Sequence, residues 1–195
     1  AYAFGGPQLL VQTVEQNTGL RIDGYMEIGF GGFVNIIDAL GGIRMCLPKA
    51  IKDRDSHIDL RKGCQTLSGT EALGYVRMRK ADPLGDLGRV QRQREMLAAV
   101  AKKAASPATV LNPVRYWKFN MAVADAIKLG RDTSLPEALS LAYAMKRISG
   151  GSGLTLTVPV SSTGAPTPVG SAVLWDPNKA KAMFSAIARG DTSGL

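Results

Sequence analysis

The segment from residue 77 to residue 93 reads RMRKADPLGDLGRVQRQ and concentrates side chains that bind anions. On a helix that starts at Asp86 and advances about 100° per residue, Asp86, Arg89 and Gln93 share one side. The apolar residues on that side are Val90, Met96, Leu97, Val100 and Ala101. An arginine and a carboxylate at the head of an apolar stripe lose water at a high cost unless they pair or meet a ligand. The pattern therefore predicts a polar, anion-binding pocket beside an apolar one.

The opposite side of this helix carries polar side chains, namely Gln91, Arg92, Glu95, Lys102 and Lys103. Arg92 and Arg94 are expected to point toward the surface and to be peripheral to the pocket. Lys102 and Lys103 are expected to be solvated, because runs of charge are mostly solvent faces.

Arg77 and Arg79 follow a predicted helix, and residues two apart in an extended segment point the same way. Their planar guanidinium forks match phosphate oxygens. The alternative is two surface arginines that interact with the dipole at the end of the helix. Asp86 has three candidate roles: capping its own helix, orienting Arg89, or serving as a base or metal ligand.

Composition limits the classes of partner. The chain has 195 residues, 45% of them hydrophobic, which suits one domain over residues 1–195 with a real core. The formal charge is +8, and residues 77–103 hold eight Lys or Arg against three acidic residues. Positive charge suits phosphate, nucleic acid or an anionic membrane surface. Aromatic residues make up only 6% of the chain, which argues against base stacking and so against nucleic acid.

Cys46 and Cys64 bracket the polar segment 47–63. A bond between them would close a loop and stabilise the fold by about 3 kcal/mol in an oxidising compartment. The alternative is two free thiols in a cytosolic protein. Together with His57 they supply too few ligands for zinc.

Periodicity and caps predict helices alternating with strands. Helices are expected from Pro7 to Gly19, over 33–40, from near 69, over 86–105, from Asn112 to Gly130, from near 135, and over 177–189. Ser68 with Glu71 has the spacing of a capping box for the helix near 69, and Asp176 is expected to cap the last helix. Strands are expected over 22–28, 42–48, 154–160 and 172–175, with a flexible surface loop over 161–170. This order predicts an α/β fold, a mixed central β-sheet flanked by helices on both faces. No stretch approaches the roughly 18 consecutive apolar residues of a membrane span.

The chain closely resembles the LytR-CpsA-Psr family of bacterial cell-wall enzymes. The resemblance is carried by AYAFGGP (1–7), GFVNIIDALGGIRMCLP (32–48), the run from Gly63 to Leu97, LNPVRYWKF (111–119), TVPV (157–160) and VLWDP (173–177). Its core is Y-V-R-x-R at 75–79 followed by D-x-x-R-x-x-R-Q at 86–93. The cysteine pair is similar to that of actinobacterial members, which favours the disulfide Cys46–Cys64.

The resemblance implies a phosphotransferase that moves a glycopolymer, with arabinogalactan as a candidate, from a polyprenyl-pyrophosphate carrier onto peptidoglycan. A pyrophosphatase side activity is also implied. Arg77, Arg79, Arg89 and Gln93 would contact the pyrophosphate, with Arg92 beside them and Asp86 supporting the arginines. Met96, Leu97 and Val100 would line a lipid groove, although they also suit a hydrophobic core. The implied location is outside the cytoplasmic membrane and attached to it.

Family members normally carry a membrane anchor, first strands and acidic metal ligands before the segment that matches AYAFGGP. The resemblance therefore leads us to expect that the ligands of a divalent cation, Mg²⁺, lie outside this chain. On the same ground the isolated chain is expected to be weakly active or inactive. The rival hypotheses are a non-catalytic module that binds polyprenyl phosphate or anionic glycan, and a nucleic-acid-binding basic helix.

Overall fold

The computed structural model describes residues 1–78, 85–130, 156–168 and 170–191, with isolated residues at 136, 137, 139, 140, 143, 144, 147 and 193. Only the backbone is described for residues 85–87. The chain divides into two compact units. Unit 1 comprises Ala1–Tyr25 and Leu154–Leu195, and unit 2 comprises Met26–Gly153. The single domain predicted from the sequence stays a prediction.

Unit 1 contains two helices and one β-hairpin. Its elements are α1 (Tyr2–Thr18), β7 (Val160–Thr167), β8 (Gly170–Trp175) and α7 (Pro177–Ala188). Non-helical backbone at Gly5 and Gly6 breaks α1 just before Pro7, and α1 ends at Gly19 in the left-handed conformation. The core of the unit is Ala180, Met183 and Phe184, against which Leu20 and Ile187 pack.

Unit 2 contains the remaining elements. They are β1 (Met26–Ile28), α2 (Phe30–Ala39), β2 (Ile43–Leu47), β3 (Ile51–Asp53), β4 (Ile58–Leu60), β5 (Gly63–Leu67), α3 (Gly69–Arg77), α4 (Gly85–Ala104), α5 (Pro107–Val110), α6 (Pro113–Ala126) and β6 (Ile127–Leu129). Along β2, buried and exposed residues alternate, so one face of the strand points to the core. The core is built from α2, β2–β5, α3 and α4, with Ile37, Leu40, Leu67 and Met96 fully buried.

The predicted α/β class is confirmed, because helices and sheets both build the described residues. Among those residues the strands pair two by two and antiparallel, β1 with β6, β2 with β5, β3 with β4 and β7 with β8. They do not join there into one central sheet. Pairing depends on which backbones meet in space, and the pattern along a single strand does not specify this.

Several predicted boundaries change. The strand predicted over 154–160 is not seen at 156–159, and residues 161–167 of the flexible loop predicted over 161–170 instead belong to β7, which pairs with β8. The helix predicted to reach Gly130 ends at Ala126, because residues 127–129 pair as β6 with β1. The polar segment between the cysteines holds the β3–β4 hairpin, whose apolar side chains Ile51, Ile58 and Leu60 are buried. The helix start predicted near residue 135 lies outside the described residues.

Helix α3 is fixed at its start by caps and by close packing. Ser68 and Glu71 form the predicted capping box. The backbone N–H of Gly69 donates to the Asp38 carboxylate of α2 at 2.7 Å. Further along, the backbone at Gly74 passes so close to the β3–β4 hairpin that a Cβ there would lie 2.2 Å from Ile58 Cγ2 and 2.6 Å from the Ser56 carbonyl oxygen. The sequence of α3 is therefore constrained to glycine where it meets the hairpin.

We expect Gly74→Ala to lower the free energy of unfolding by about 1–3 kcal/mol, because the added methyl group overpacks a contact with backbone. Gly31→Ala in α2 is the matched control, since a Cβ at Gly31 meets nothing within 4 Å. The control should be neutral or slightly stabilising. Urea unfolding of both variants measures the difference. Equal midpoints for the two would contradict the close approach of α3 to the hairpin.

The end of α4 is fastened to the end of α2. The Lys103 ammonium donates to the carbonyl oxygens of Gly41, at 3.2 Å, and Gly42. Burial lowers the pKa of Lys103, and the nearby charge of Arg115 lowers it further. The expectation that Lys103 is a solvated surface lysine is therefore wrong, because its partly buried ammonium donates to the carbonyls of the two glycines that follow α2.

None of the helices in the described ranges is both long and apolar enough to cross a membrane.

Candidate functional site

The candidate site is built where the end of α3 meets the first turns of α4. Arg92 of α4 is only 6% exposed. Its Nε donates to the Tyr75 carbonyl oxygen at 3.2 Å, and its Nη2 donates to the Met78 carbonyl oxygen. The last carbonyls of a helix lack partners within the helix and carry partial negative charge. Arg92 thus serves these carbonyls and holds the two helices together.

Tyr75 completes this buried contact. The Arg92 guanidinium carbon lies 5.9 Å from the centre of the Tyr75 ring, within the range of a cation–π interaction. Burial raises the pKa of Tyr75, and the Glu95 carboxylate raises it further. Burial also lowers the pKa of Arg92, but a guanidinium stays charged at neutral pH. The junction therefore contains a permanent buried cation and a neutral phenol.

Gln93 adds a second link between the helices. Its Nε2 donates a long hydrogen bond of 3.5 Å to the carbonyl oxygen of Val76, the residue before Arg77. Arg89 lies four residues, about one turn, before Gln93 on α4, so the two side chains share a face of the helix. Arg89 is half-buried. The structure thus brings Gln93, and the helix face it shares with Arg89, to the segment that carries Arg77.

Arg77 is the last residue of α3 and is exposed. It is helical, where an extended conformation was expected. Its guanidinium carbon lies 4.6 Å above the centre of the Phe30 ring, at the start of α2. Phe30 is itself 62% exposed. The stacked ring restricts the guanidinium while leaving its N–H groups at the edge, where an anion can be bound.

Two predicted site residues cannot be placed in the same way. Arg79 lies outside the described residues. Asp86 belongs to α4 by its backbone, but its side chain lies outside the described ones. Their predicted roles beside Arg77 and Arg89 stay predictions.

The buried face of α4 differs from the predicted one. Gly88, Arg92 and Met96 point to the core, a face turned by about one residue, roughly 100°, from the face that the apolar pattern favoured. The expectation that Arg92 points to the surface is therefore wrong. Val90 and Leu97 are 41% and 47% exposed, although they were expected on the inner stripe. The Arg92 side chain can point inward because the carbonyl oxygens of α3 accept its hydrogen bonds.

Met96, Leu97 and Val100, the three residues predicted to line a lipid groove, differ in how deeply they are buried. Met96 is fully buried in the core of unit 2, and Val100 packs against that core. Leu97 remains exposed. Met96 therefore belongs to the core, Val100 is partly buried against it, and Leu97 keeps the most exposed surface of the three.

The predicted disulfide is present between Cys46 and Cys64. The two residues are directly opposite on β2 and β5, with their Cα atoms 3.9 Å apart. Both are exposed. The bond closes the segment that holds the β3–β4 hairpin, and this hairpin packs against Gly74 of α3. It therefore braces the helix whose last residue is Arg77.

The described residues do not fit a metal centre. No group of three or more His, Cys, Asp or Glu side chains is placed to hold an ion in the part of the chain that the structure describes. What these residues offer is cationic and amide donors, which suit an anion.

Sequence reasoning missed Phe30 and Tyr75. Phe30 lies far from Arg77 in the sequence, and no spacing in the chain links the two residues. Tyr75 belongs to the Y-V-R-x-R motif at 75–79, but its carbonyl contact with Arg92 can be recognised only once the α3–α4 junction is known.

Comparison with known proteins relates this geometry to a family. The sequence profile of the LytR_cpsA_psr family matches residues 1–167. The chain is 44% identical over 187 residues to the probable cell wall biosynthesis protein LcpB of Corynebacterium glutamicum, which covers 96% of this chain and 44% of that protein. It is 43% identical over 106 residues to the polyisoprenyl-teichoic acid–peptidoglycan teichoic acid transferase TagU of Bacillus mycoides. This match covers 54% of this chain and 34% of TagU. The chain spans less than half the length of these curated relatives.

Solved structures agree on the fold. The crystal structure of TagV from B. subtilis matches with a TM-score of 0.75 and 27% identity, over 98% of this chain and 72% of that one.

Proposed function

Because the chain belongs to the LytR_cpsA_psr family, we propose that it forms part of a phosphotransferase that moves a glycopolymer from a polyprenyl-pyrophosphate carrier onto peptidoglycan. The proposal is supported by the relative TagU, a polyisoprenyl-teichoic acid–peptidoglycan teichoic acid transferase. Arabinogalactan is the candidate polymer, as the actinobacterial resemblance implies. The observation that carries the proposal is the α3–α4 junction, where Arg77, Arg89 and Gln93 belong to two helices that Arg92 holds together.

The proposed reaction is a phosphoryl transfer. A hydroxyl oxygen of peptidoglycan forms a bond to the phosphorus that carries the glycan, and the bond from that phosphorus to the bridging oxygen breaks. Polyprenyl phosphate leaves with the bridging oxygen and its electron pair, and the hydroxyl proton goes to a base. Such reactions depend mainly on positioning and on charge stabilisation.

The residues of this chain supply the positive charge in that scheme. Arg77 and Arg89 bind the non-bridging oxygens of the pyrophosphate, and Gln93 donates to them through its amide. Arg79 joins them, and Asp86 orients the arginines. Arg92 binds the α3 carbonyls and positions the junction. A divalent cation, Mg²⁺, remains part of the proposal, but the described residues do not supply its ligands and we assign it no step.

The setting proposed for this reaction is the outer side of the cytoplasmic membrane, to which the protein is attached. The disulfide Cys46–Cys64 supports the first part, since such bonds persist in oxidising compartments. Nucleic acid is not a partner in this proposal, because aromatic residues that could stack on bases make up only 6% of the chain.

We expect Arg89→Ala, in the protein that carries this chain, to weaken binding of a polyprenyl pyrophosphate by about tenfold or more, the worth of one charge-assisted hydrogen bond. Transfer to peptidoglycan should fall by at least as much. Arg94→Ala is the matched control, because Arg94 is an exposed arginine of the same helix. Lipid binding and transfer are measured side by side on both variants.

Transfer at the unmodified rate by Arg89→Ala would contradict the assignment of the site. A protein that binds the lipid, responds to Arg89→Ala in binding and transfers nothing would instead be a non-catalytic binding module.

A further inference from the structure

Unit 1 contains a cleft that the proposed phosphate site does not use. It has a volume of about 550 Å³ and lies between the end of α1, the end of β8 and one face of α7. The side chains that matter for binding are those of Asn17, Thr18, Trp175, Lys181, Phe184 and Ser185. Small-molecule sites commonly have volumes of about 300–1,000 Å³ and combine apolar walls with a few polar groups.

The apolar wall of the cleft is aromatic. Trp175 ends β8, and its ring centre lies 5.4 Å from that of Phe184 at an interplanar angle of 52°. Phe184 is buried in the core of unit 1, whereas Trp175 stays 41% exposed. The residue after Trp175, Asp176, caps α7 by accepting from the N–H groups of Asn178 and Lys179. Trp175 is therefore held on one side by the core and is available on the other.

Polar groups border this wall. Asn17 uses its amide N–H on the Thr13 carbonyl at 2.7 Å, so its amide oxygen is presented as an acceptor. The hydroxyl of Ser185 also lines the cleft. Lys181 is the charged side chain among the described lining residues, and it is exposed. An aromatic wall with amide and hydroxyl groups suits a ring that carries C–H bonds on its faces and hydroxyls at its edge, and Lys181 adds a preference for negative charge.

We propose that this cleft binds one anionic sugar residue, with its ring against Trp175 and its carboxylate or phosphate near Lys181. The electron-rich face of an indole attracts the partly positive C–H groups of a sugar ring. The choice of a saccharide over other rings rests on the proposed function. Most of the wall, from Trp175 to Ala188, follows the residues 1–167 that the family profile matches. The cleft thus recognises a glycan mainly, though not entirely, with residues outside the matched part of the chain.

The two tryptophans of the chain provide the test. In the full chain labelled with ¹⁵N, each indole N–H gives one NMR signal, assigned with Trp175→Phe and Trp117→Phe. Trp117 belongs to unit 2 and is 68% exposed, so it reports non-specific effects. The probes are N-acetylmuramic acid, N-acetylglucosamine 1-phosphate, neutral N-acetylglucosamine, and geranyl phosphate as a lipid phosphate without sugar.

We expect the Trp175 signal to shift saturably with the sugars while the Trp117 signal stays in place. The anionic sugars should bind about threefold more tightly than the neutral one, the effect of one exposed charge pair. Lys181→Gln should remove that preference. Lys179→Gln should keep it, because Lys179 is a neighbouring lysine of α7 that pairs with Asp176 and does not line the cleft. Whichever of the two anionic sugars binds more tightly identifies the source of the charge.

The inference is overturned if Trp175 does not respond to any sugar, if both tryptophans respond equally, if Lys181→Gln keeps the preference, or if only geranyl phosphate binds. Because both lysines are exposed, neither substitution removes a core contact. Transfer by the protein without a response of Trp175 overturns this inference and leaves the proposed function standing. A saturable response of Trp175 in a protein that transfers nothing supports this inference and overturns the proposed function.

Discussion

Replacing Arg92 with methionine should lower the free energy of unfolding by about 3 kcal/mol, because it leaves two buried carbonyl oxygens without their charged donor. The carbonyls of Tyr75 and Met78 accept from Arg92, and the surrounding helices exclude water from a side chain that is 6% exposed. Methionine fills much of the same volume, so the loss reports hydrogen bonding more than packing. For a chain of this size the melting temperature should fall by about 6–12 °C.

Two comparisons give this result its meaning. Arg94→Met removes an exposed arginine two positions away and should change the melting temperature little. Arg92→Lys keeps the charge but lacks the fork that reaches two carbonyls, so it should recover only part of the loss. The measurement is made without ligand. If Arg92 acted only by binding pyrophosphate, unfolding of Arg92→Met would match that of the unmodified protein, and the positioning role would be wrong.

Removing the disulfide should have an effect of similar size. The double substitution Cys46→Ser and Cys64→Ser frees the segment that the bond closes, at a cost of about 3 kcal/mol in the chain-entropy account. Since the closed segment includes the hairpin against α3, we expect the loss to reach the helix that carries Arg77. Hydrogen exchange of the amides of α3 and urea unfolding measure the two parts.

Dithiothreitol provides the internal control for this prediction. Both cysteines are exposed, so the reductant should destabilise the unmodified protein to the level of the double-serine variant. It should leave the variant itself unchanged. A reductant effect of equal size on both proteins, or on neither, would contradict a stabilising role of the bond.

Features with local causes could be predicted from the sequence. The capping box of Ser68 and Glu71, the caps at Asn112 and Asp176, and the helix stop at Gly19 all depend on atoms within a few residues. The cysteine pair was also found, because two cysteines that bracket a loop suggest a bond, and the resemblance to a family favoured that bond further.

Features that depend on contacts between distant parts of the chain could not be predicted from the sequence. The β3–β4 hairpin lies in a polar stretch, and Ile58 is buried there only because the hairpin meets the core of unit 2, including Gly74 of α3. The turn-forming residues within 161–167 favoured a loop, whereas pairing with β8 makes them a strand. On α4 the apolar pattern chose the wrong face, because a count of hydrophobic residues cannot include the carbonyls of α3 that accept from Arg92.

The make-up of unit 1 has a consequence for how the protein is synthesised. Leu20 follows α1 near the start of the sequence, yet it packs against Met183 and Phe184 of α7. At ribosomal rates of roughly 5–20 residues per second, α1 emerges on the order of ten seconds before α7 exists. The β2–β5 and α2–α3 contacts of unit 2 join neighbouring segments and need no such wait. During translation Leu20 therefore lacks its packing partners, and a chaperone that binds nascent chains would find this residue uncovered until α7 is made.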